Sequence, residues 1–83
     1  MKGIVHYINQ QRGIVAVITE QGYSIFEIIS GDNVEVGDNV SWRDDTALGG
    51  EILTNHTQGD RYEVYFQNHH VHQSQLGQQL LIR

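Results

Sequence analysis

The histidine-rich segment His69-His70-Val71-His72 is the clearest candidate for metal chemistry in the sequence. Neutral imidazole is a good ligand for Zn, Cu or Ni, and alternate residues of a strand, here His70 and His72, project from one face. Only these two ligands share that face, and no carboxylate stands at a useful spacing. The segment therefore indicates a polar surface stretch, and we expect neither a metal nor a cofactor.

A second group with potential chemistry is a set of acids in the middle of the chain, namely Asp32, Asp38, Asp44 and Asp45. A calcium loop needs alternating acids, a glycine and a distal glutamate, and that spacing is absent. Solvated loop acids are the better interpretation. No serine, histidine and aspartate arrangement has nucleophilic spacing, and no glycine loop precedes a helix to hold phosphate. We therefore expect no enzymatic activity.

The composition is that of one small folded domain. The 83 residues are 39% hydrophobic and 18% charged, which fits a single core and is too apolar for a disordered tail. The chain has no cysteine, as expected of a reducing compartment such as the cytoplasm. Its apolar runs are too short for a signal peptide or a membrane span, so we expect no membrane association. The net charge of -5 argues against tight, charge-driven binding of nucleic acid.

Short β-strands separated by turn residues account for most of the chain. Runs rich in β-branched and aromatic residues are typical of strands, and they lie at 3–8, 14–19, 23–29, 40–43, 51–57 and 61–71. The first five predict an all-β fold, a small five-stranded antiparallel barrel over residues 1–57. Residues 58–83 are predicted to be a C-terminal extension. It comprises an extra strand at 61–71 and a glutamine-rich tail at 72–83 that forms at most a marginal helix.

The first 57 residues resemble the cold-shock domain, an OB-fold barrel that binds single-stranded nucleic acid. The opening run Lys2-Gly3-Ile4-Val5-His6-Tyr7-Ile8-Asn9 is similar to the family's K-G-x-V-K-W-F-N. The run Arg12-Gly13-Ile14-Val15-Ala16-Val17 stands where K-G-F-G-F-I would be, and Ile25-Phe26-Glu27-Ile28-Ile29 stands where V-F-V-H-F would be. Residues 36–42 are similar to the approach to the fourth strand, and Asn55 matches an asparagine of the closing strand.

The resemblance implies that unpaired bases stack on exposed rings of the first three strands. Tyr7 and Phe26 would be the stacking platforms, and stacking is worth about 1–3 kcal/mol per base. Contacts to the nucleic-acid backbone would come from the basic side chains Lys2, His6 and Arg12. Because several of the family's rings are replaced by aliphatic residues, we expect weak binding of single-stranded RNA or DNA with little sequence preference.

The aliphatic replacements also support a different interpretation, a protein-interaction or dimerisation module. Ile14, Ala16 and Ile28 would form an apolar patch on the outer face, and soluble monomers seldom leave such a patch bare. This patch would be covered by a partner protein, by a second copy of the chain, or by the chain's own C-terminal extension through Tyr62, Val64 and Phe66. If the extension covers the face, truncation after Thr57 should raise the affinity for nucleic acid.

Two further residues bear on the register of the strands. Trp42 alternates with Val40 and is expected in the core. Glu27 stands at a position where the resemblance implies an inward apolar residue. Either the carboxylate is paired, or the register of this strand differs from that of the family.

Overall fold

Six strands and a short helical end follow one another along the chain in the computed structural model, which describes residues 1–30, 34–45 and 48–79. The elements are β1 (Lys2–Asn9), β2 (Ile14–Thr19), β3 (Gly22–Ser30), β4 (Asn39–Ser41), β5 (Gly49–Asn55), β6 (Asp60–Val71), a 3-10 turn (Gln73–Gln75) and α1 (Leu76–Gln79). Asp32 and residues 80–83 of the predicted tail lie outside the described residues. None of the described helices has the length and apolar character needed to cross a membrane.

The strands form a closed barrel in the order β1-β2-β3-β6-β5-β4, and every pair of neighbours is antiparallel. The predicted all-β barrel is therefore confirmed. From the sequence, β6 is expected to be an extra strand outside a five-stranded barrel. In the structure β6 is a strand of the barrel itself, because it lies between β3 and β5 and is hydrogen-bonded to both. The barrel accordingly continues to Val71, and its closure leaves no unpaired edge at this position.

The barrel interior is filled by alternating side chains from all six strands. The buried set is Val5, Val15, Val17, Phe26, Val40, Trp42, Leu53, Tyr62, Val64 and Phe66. The ring of Phe66 lies 5.4 Å from that of Phe26 and 4.8 Å from that of Trp42, measured between centroids. The prediction that Trp42 belongs to the core is confirmed. Full burial of side chains of this size stabilises the fold by about 1.5–3 kcal/mol each.

A second, smaller apolar cluster lies on the outside of the barrel. Ile14, Ala16, Tyr23 and Ile25 pack there with Val71, and Leu76 of α1 packs against them. The chain's own C-terminal part thus covers the outer face of β2 and β3, as one of the alternatives predicts. The covering residues differ from the expected ones, because Tyr62, Val64 and Phe66 of β6 point into the interior.

The C-terminal part of β6, which carries the histidines, pairs irregularly with β3. The register against β3 shifts between Phe26 and Ile25 and again between Ile25 and Tyr23. His70 there has a φ of 56°, which is unusual for a residue other than glycine. The ring of His72 accepts a hydrogen bond from the Ser74 amide at 3.2 Å and caps the 3-10 turn. Among the described residues, no three His, Asp or Glu side chains form a group able to hold a metal ion.

A buried polar network joins the turn before β4 to the hairpin between β5 and β6. Asp38 is 3% exposed, and its Oδ2 accepts hydrogen bonds from the Asn55 side-chain amide at 2.8 Å and from the Glu35 backbone N–H at 2.9 Å. Gln58 donates from its side chain to Asp38 at 3.3 Å and from its backbone to Asn55 Oδ1 at 2.9 Å. This buried carboxylate is thus satisfied by hydrogen bonds. The expectation that Asp38 is a solvated loop acid is therefore wrong.

We expect Asp38→Ala to lower the free energy of unfolding by about 1–3 kcal/mol, because it leaves the buried Asn55 amide without this acceptor. Urea denaturation followed by tryptophan fluorescence measures the change. Glu20→Ala is the control, since Glu20 is exposed and substitutions of this kind are usually within about 0.5 kcal/mol of neutral. Equal stability of the two variants would contradict a structural role for the network.

Candidate nucleic-acid interface

A β-bulge in β1 places two neighbouring rings on the outer surface. The pairing with β2 goes from Val5 opposite Val17 directly to Tyr7 opposite Ala16, so His6 is the extra residue. Such a bulge re-aims side chains, and both His6 and Tyr7 are exposed. The His6 ring reaches the Tyr23 ring at 5.2 Å between centroids. Tyr7 is 42% exposed, which leaves its ring accessible for stacking.

Two cations flank these rings along the chain. Lys2 begins β1, Arg12 lies in the turn after it, and both side chains are exposed. The Arg12 amide donates to the Asn9 carbonyl at 3.3 Å, and the Gly13 carbonyl accepts from the Ile28 amide at 2.9 Å, which fixes the turn against β3. The eight residues of β1 span roughly 26 Å at about 3.3 Å per residue. No acid occurs in the sequence before Glu20.

A shallow pocket adjoins the two rings. It has a volume of about 370 Å³ and is lined by His6, Tyr7, Ile8, Gln10, Val34, Glu35 and Val36. This volume is at the low end of the about 300–1,000 Å³ of small-molecule sites. Glu35 is the one acid among the lining residues that the structure describes, and its Oε2 accepts a hydrogen bond from the Gln58 side chain at 2.8 Å. A carboxylate at this point favours a hydrogen-bond donor, such as an amino group of a base, over a phosphate.

Phe26, predicted as the second stacking platform, is in the core instead. It is 0% exposed, and its ring packs against Phe66 inside the barrel. The reason is the register of β3, in which Ser24, Phe26 and Ile28 face inward while Ile25 and Glu27 face outward. Because side chains alternate between the faces of a strand, a difference of one residue in register exchanges the two faces. Glu27, half-buried opposite Ile14 and Tyr65, is thereby explained.

The predicted protein-interaction face of Ile14, Ala16 and Ile28 is not an exposed patch. Ile14 is 5% exposed and Ala16 is 0% exposed, because Val71 and Leu76 cover them. Ile28 belongs to the other side of β3 and packs, half-buried, against the barrel core. The three residues therefore do not form one surface, and two of them are closed to a partner in the folded chain.

The structure also brings together a serine and a histidine that the sequence does not link. The hydroxyl of Ser24 and Nδ1 of His69 are 2.8 Å apart, and the His69 ring stacks on Phe66 at 4.9 Å between centroids. Ser24 is only 2% exposed, so a substrate cannot approach its hydroxyl. The pair satisfies polar groups inside the barrel. Their separation of 45 residues left no local signal by which sequence reasoning would find it.

Of the predicted nucleic-acid-binding residues, the outer surface thus retains Lys2, His6, Tyr7 and Arg12 and loses Phe26. The bulge at His6 and the pocket beside Tyr7 are features that strand periodicity alone does not reveal. Protein-family models, curated proteins and solved structures were each compared with this chain, and none of the three comparisons finds a match.

Proposed function

We propose that this barrel binds single-stranded RNA or DNA weakly, with little sequence preference and without catalysis, along the outer surface of β1. The observation that carries the proposal is the exposed ring pair of His6 and Tyr7 between Lys2 and Arg12. Every base has a π face, so stacking tolerates sequence, while cations at both ends suit a phosphate backbone. The resemblance of the first 57 residues to the cold-shock domain, an OB-fold family, supports the same function.

The number of rings determines how tight such binding can be. His6, expected from the resemblance to contact the backbone, takes the place of Phe26 as the second platform beside Tyr7 in this proposal. The two platforms are worth roughly 2–6 kcal/mol together if each stacks one base. Two phosphate contacts, from Lys2 and Arg12, add an electrostatic contribution that the net charge of -5 partly opposes. We therefore expect dissociation constants on the order of 10⁻⁴ to 10⁻³ M at low salt.

We expect Tyr7→Ala to weaken binding of a short oligothymidine by about 5- to 150-fold, because it removes one stacking platform worth about 1–3 kcal/mol. The measurement is an NMR titration of the full chain at low salt, with affinities fitted from the amide shifts. Tyr7 is partly exposed, so the variant should remain folded.

Tyr65→Ala is the matched control for this experiment. Tyr65 is 50% exposed, a fraction similar to that of Tyr7, but it lies on β6, across the barrel from β1. Its loss should leave the affinity unchanged. Equal weakening by both substitutions, or no effect of Tyr7→Ala, would contradict the proposal.

A further inference from the structure

The outer face of β3, β6 and β5 carries an exposed apolar groove, which we call the β3–β6–β5 groove. It has a volume of about 540 Å³, and its lining includes Ile29, Gly50, Glu51, Ile52, Glu63 and Tyr65. The three large apolar side chains among them, Ile29, Ile52 and Tyr65, are 58%, 48% and 50% exposed. Apolar side chains so exposed on three adjacent strands are typical of an interaction surface.

The register of the three strands brings these side chains together. On β6, Glu63 lies opposite Ile52 of β5, and Tyr65 lies opposite Gly50. Gly50 carries no side chain to cover the Tyr65 ring, and the ring lies instead beside Gly49, where an added Cβ would be 3.8 Å from its Cε2. On the other side, Tyr65 lies opposite Glu27 of β3. The groove is therefore an apolar surface with an accessible aromatic ring at its centre.

The charge of this surface is acidic. Glu63 is exposed and Glu27 is half-buried, and both lie on the same outer face as Tyr65. Glu51 lies opposite the buried Val64 and therefore belongs to the other face of β5. Within residues 1–30, 34–45 and 48–79, no Lys, Arg or His forms an ion pair with Glu27 or Glu63. Arg61, the cation nearest along β6, lies opposite Thr54, one position beyond the groove. The carboxylates of Glu27 and Glu63 are thus available to a positively charged partner.

We propose that the β3–β6–β5 groove is a docking site for a basic amphipathic segment of another protein, one that alternates apolar residues with Lys or Arg. The apolar residues of such a segment would contact Ile29 and Ile52, and a cation would lie over the Tyr65 ring, where the π face attracts it. The glutamates complement the remaining positive charges and favour this partner over acidic ones. This surface is separate from the proposed nucleic-acid interface on β1.

The charge distribution disfavours the other occupants of the groove. In a symmetric dimer the same patch meets itself, so Glu27 and Glu63 of one copy would face those of the second copy. Like charges brought together in this way cost several kcal/mol. A nucleic acid would bring its phosphates to the same carboxylates. A basic protein segment has neither conflict.

The probe for this site is a labelled peptide in which leucine and lysine alternate, with its glutamate-for-lysine counterpart as the specificity control. The full chain is titrated with each peptide and followed by NMR. We expect the lysine peptide alone to shift amides around Ile52, Glu63 and Tyr65. Tyr65→Ala should weaken binding about tenfold, as is usual for an aromatic anchor, and Glu63→Gln should weaken it severalfold. Tyr7→Ala is the matched control and should leave it unchanged.

Five outcomes would overturn the proposal. The lysine peptide produces no shifts at millimolar concentration, or it shifts residues elsewhere on the barrel. The glutamate peptide binds equally well, which would exclude charge complementarity. The fourth kind of result is self-association of the chain in a sedimentation experiment, which Tyr65→Ala abolishes and which would make a second copy the occupant of the groove. Oligothymidine shifts the groove residues, which would make nucleic acid the occupant.

Discussion

Truncation after Thr57 is expected to unfold the chain, and not to raise its affinity for nucleic acid as the covering extension predicts, because β6 is a strand of the barrel. The truncated chain lacks β6, which pairs with β3 from Tyr23 to Ser30 and with β5 from Gly49 to Asn55. The barrel would open and expose two unpaired edges. The core would lose four buried side chains, Tyr62, Val64, Phe66 and Val71.

The magnitudes make this the largest expected effect. Four side chains at about 1.5–3 kcal/mol each contribute roughly 6–12 kcal/mol. A chain of 83 residues has a total stability of about 4–12 kcal/mol at the usual 0.05–0.15 kcal/mol per residue. The fragment of residues 1–57 should therefore give a collapsed amide NMR spectrum and lack the circular dichroism of a folded barrel.

A chain ending at His72 is the control for this truncation. It keeps all of β6 and loses the 3-10 turn and α1, whose described residues include no buried side chain. Its amide spectrum should stay dispersed, with changes near Ile14 and Ala16 where Leu76 packs. A dispersed spectrum of residues 1–57 would instead mean that five strands suffice for the fold.

Phe26→Ala should lower the free energy of unfolding by about 3–5 kcal/mol, the usual cost of removing a buried phenylalanine ring. Phe26 is 0% exposed and packs on Phe66 in the barrel centre. At about 4–8 °C per kcal/mol for a chain of this size, the melting temperature should fall by at least about 12 °C. Thermal denaturation followed by circular dichroism measures this shift.

Phe26→Leu is the matched variant, since it retains most of the buried volume and should cost much less than the alanine substitution. Tyr7→Ala, at an exposed position, should also cost less. If Phe26→Ala kept full stability while losing affinity for oligothymidine, Phe26 would be a surface stacking platform after all, and the register of β3 described above would be wrong.

The strands were predictable from local sequence, because each is marked by its own composition. The predicted run 14–19 coincides with β2 (Ile14–Thr19), and the predicted run 61–71 differs from β6 (Asp60–Val71) by one residue. The position of β6 in the barrel was not predictable in this way. Alternation of apolar and polar residues identifies a strand, but it does not say which strands are its neighbours.

The candidate site was predictable only in part, for a physical reason visible in β3. Apolar residues lie on both of its faces, with Phe26 and Ile28 on one and Tyr23 and Ile25 on the other. The alternation of residues therefore does not reveal which face of β3 is buried. The resemblance to the cold-shock domain implied that Phe26 is exposed, and that expectation was wrong. The bulge at His6 likewise results from the pairing of β1 with β2, and the residue types of β1 do not indicate it.

The most direct test of the central proposal, that the outer surface of β1 binds single-stranded nucleic acid, is an amide-shift titration of the full chain with oligothymidine at several salt concentrations. We expect the largest shifts at Lys2, His6, Tyr7 and Arg12. The logarithm of the affinity should fall with the logarithm of the salt concentration with a slope of about -1.4, as two phosphate contacts on a single strand require. An absence of shifts at millimolar oligonucleotide, or shifts confined to other strands, would contradict it.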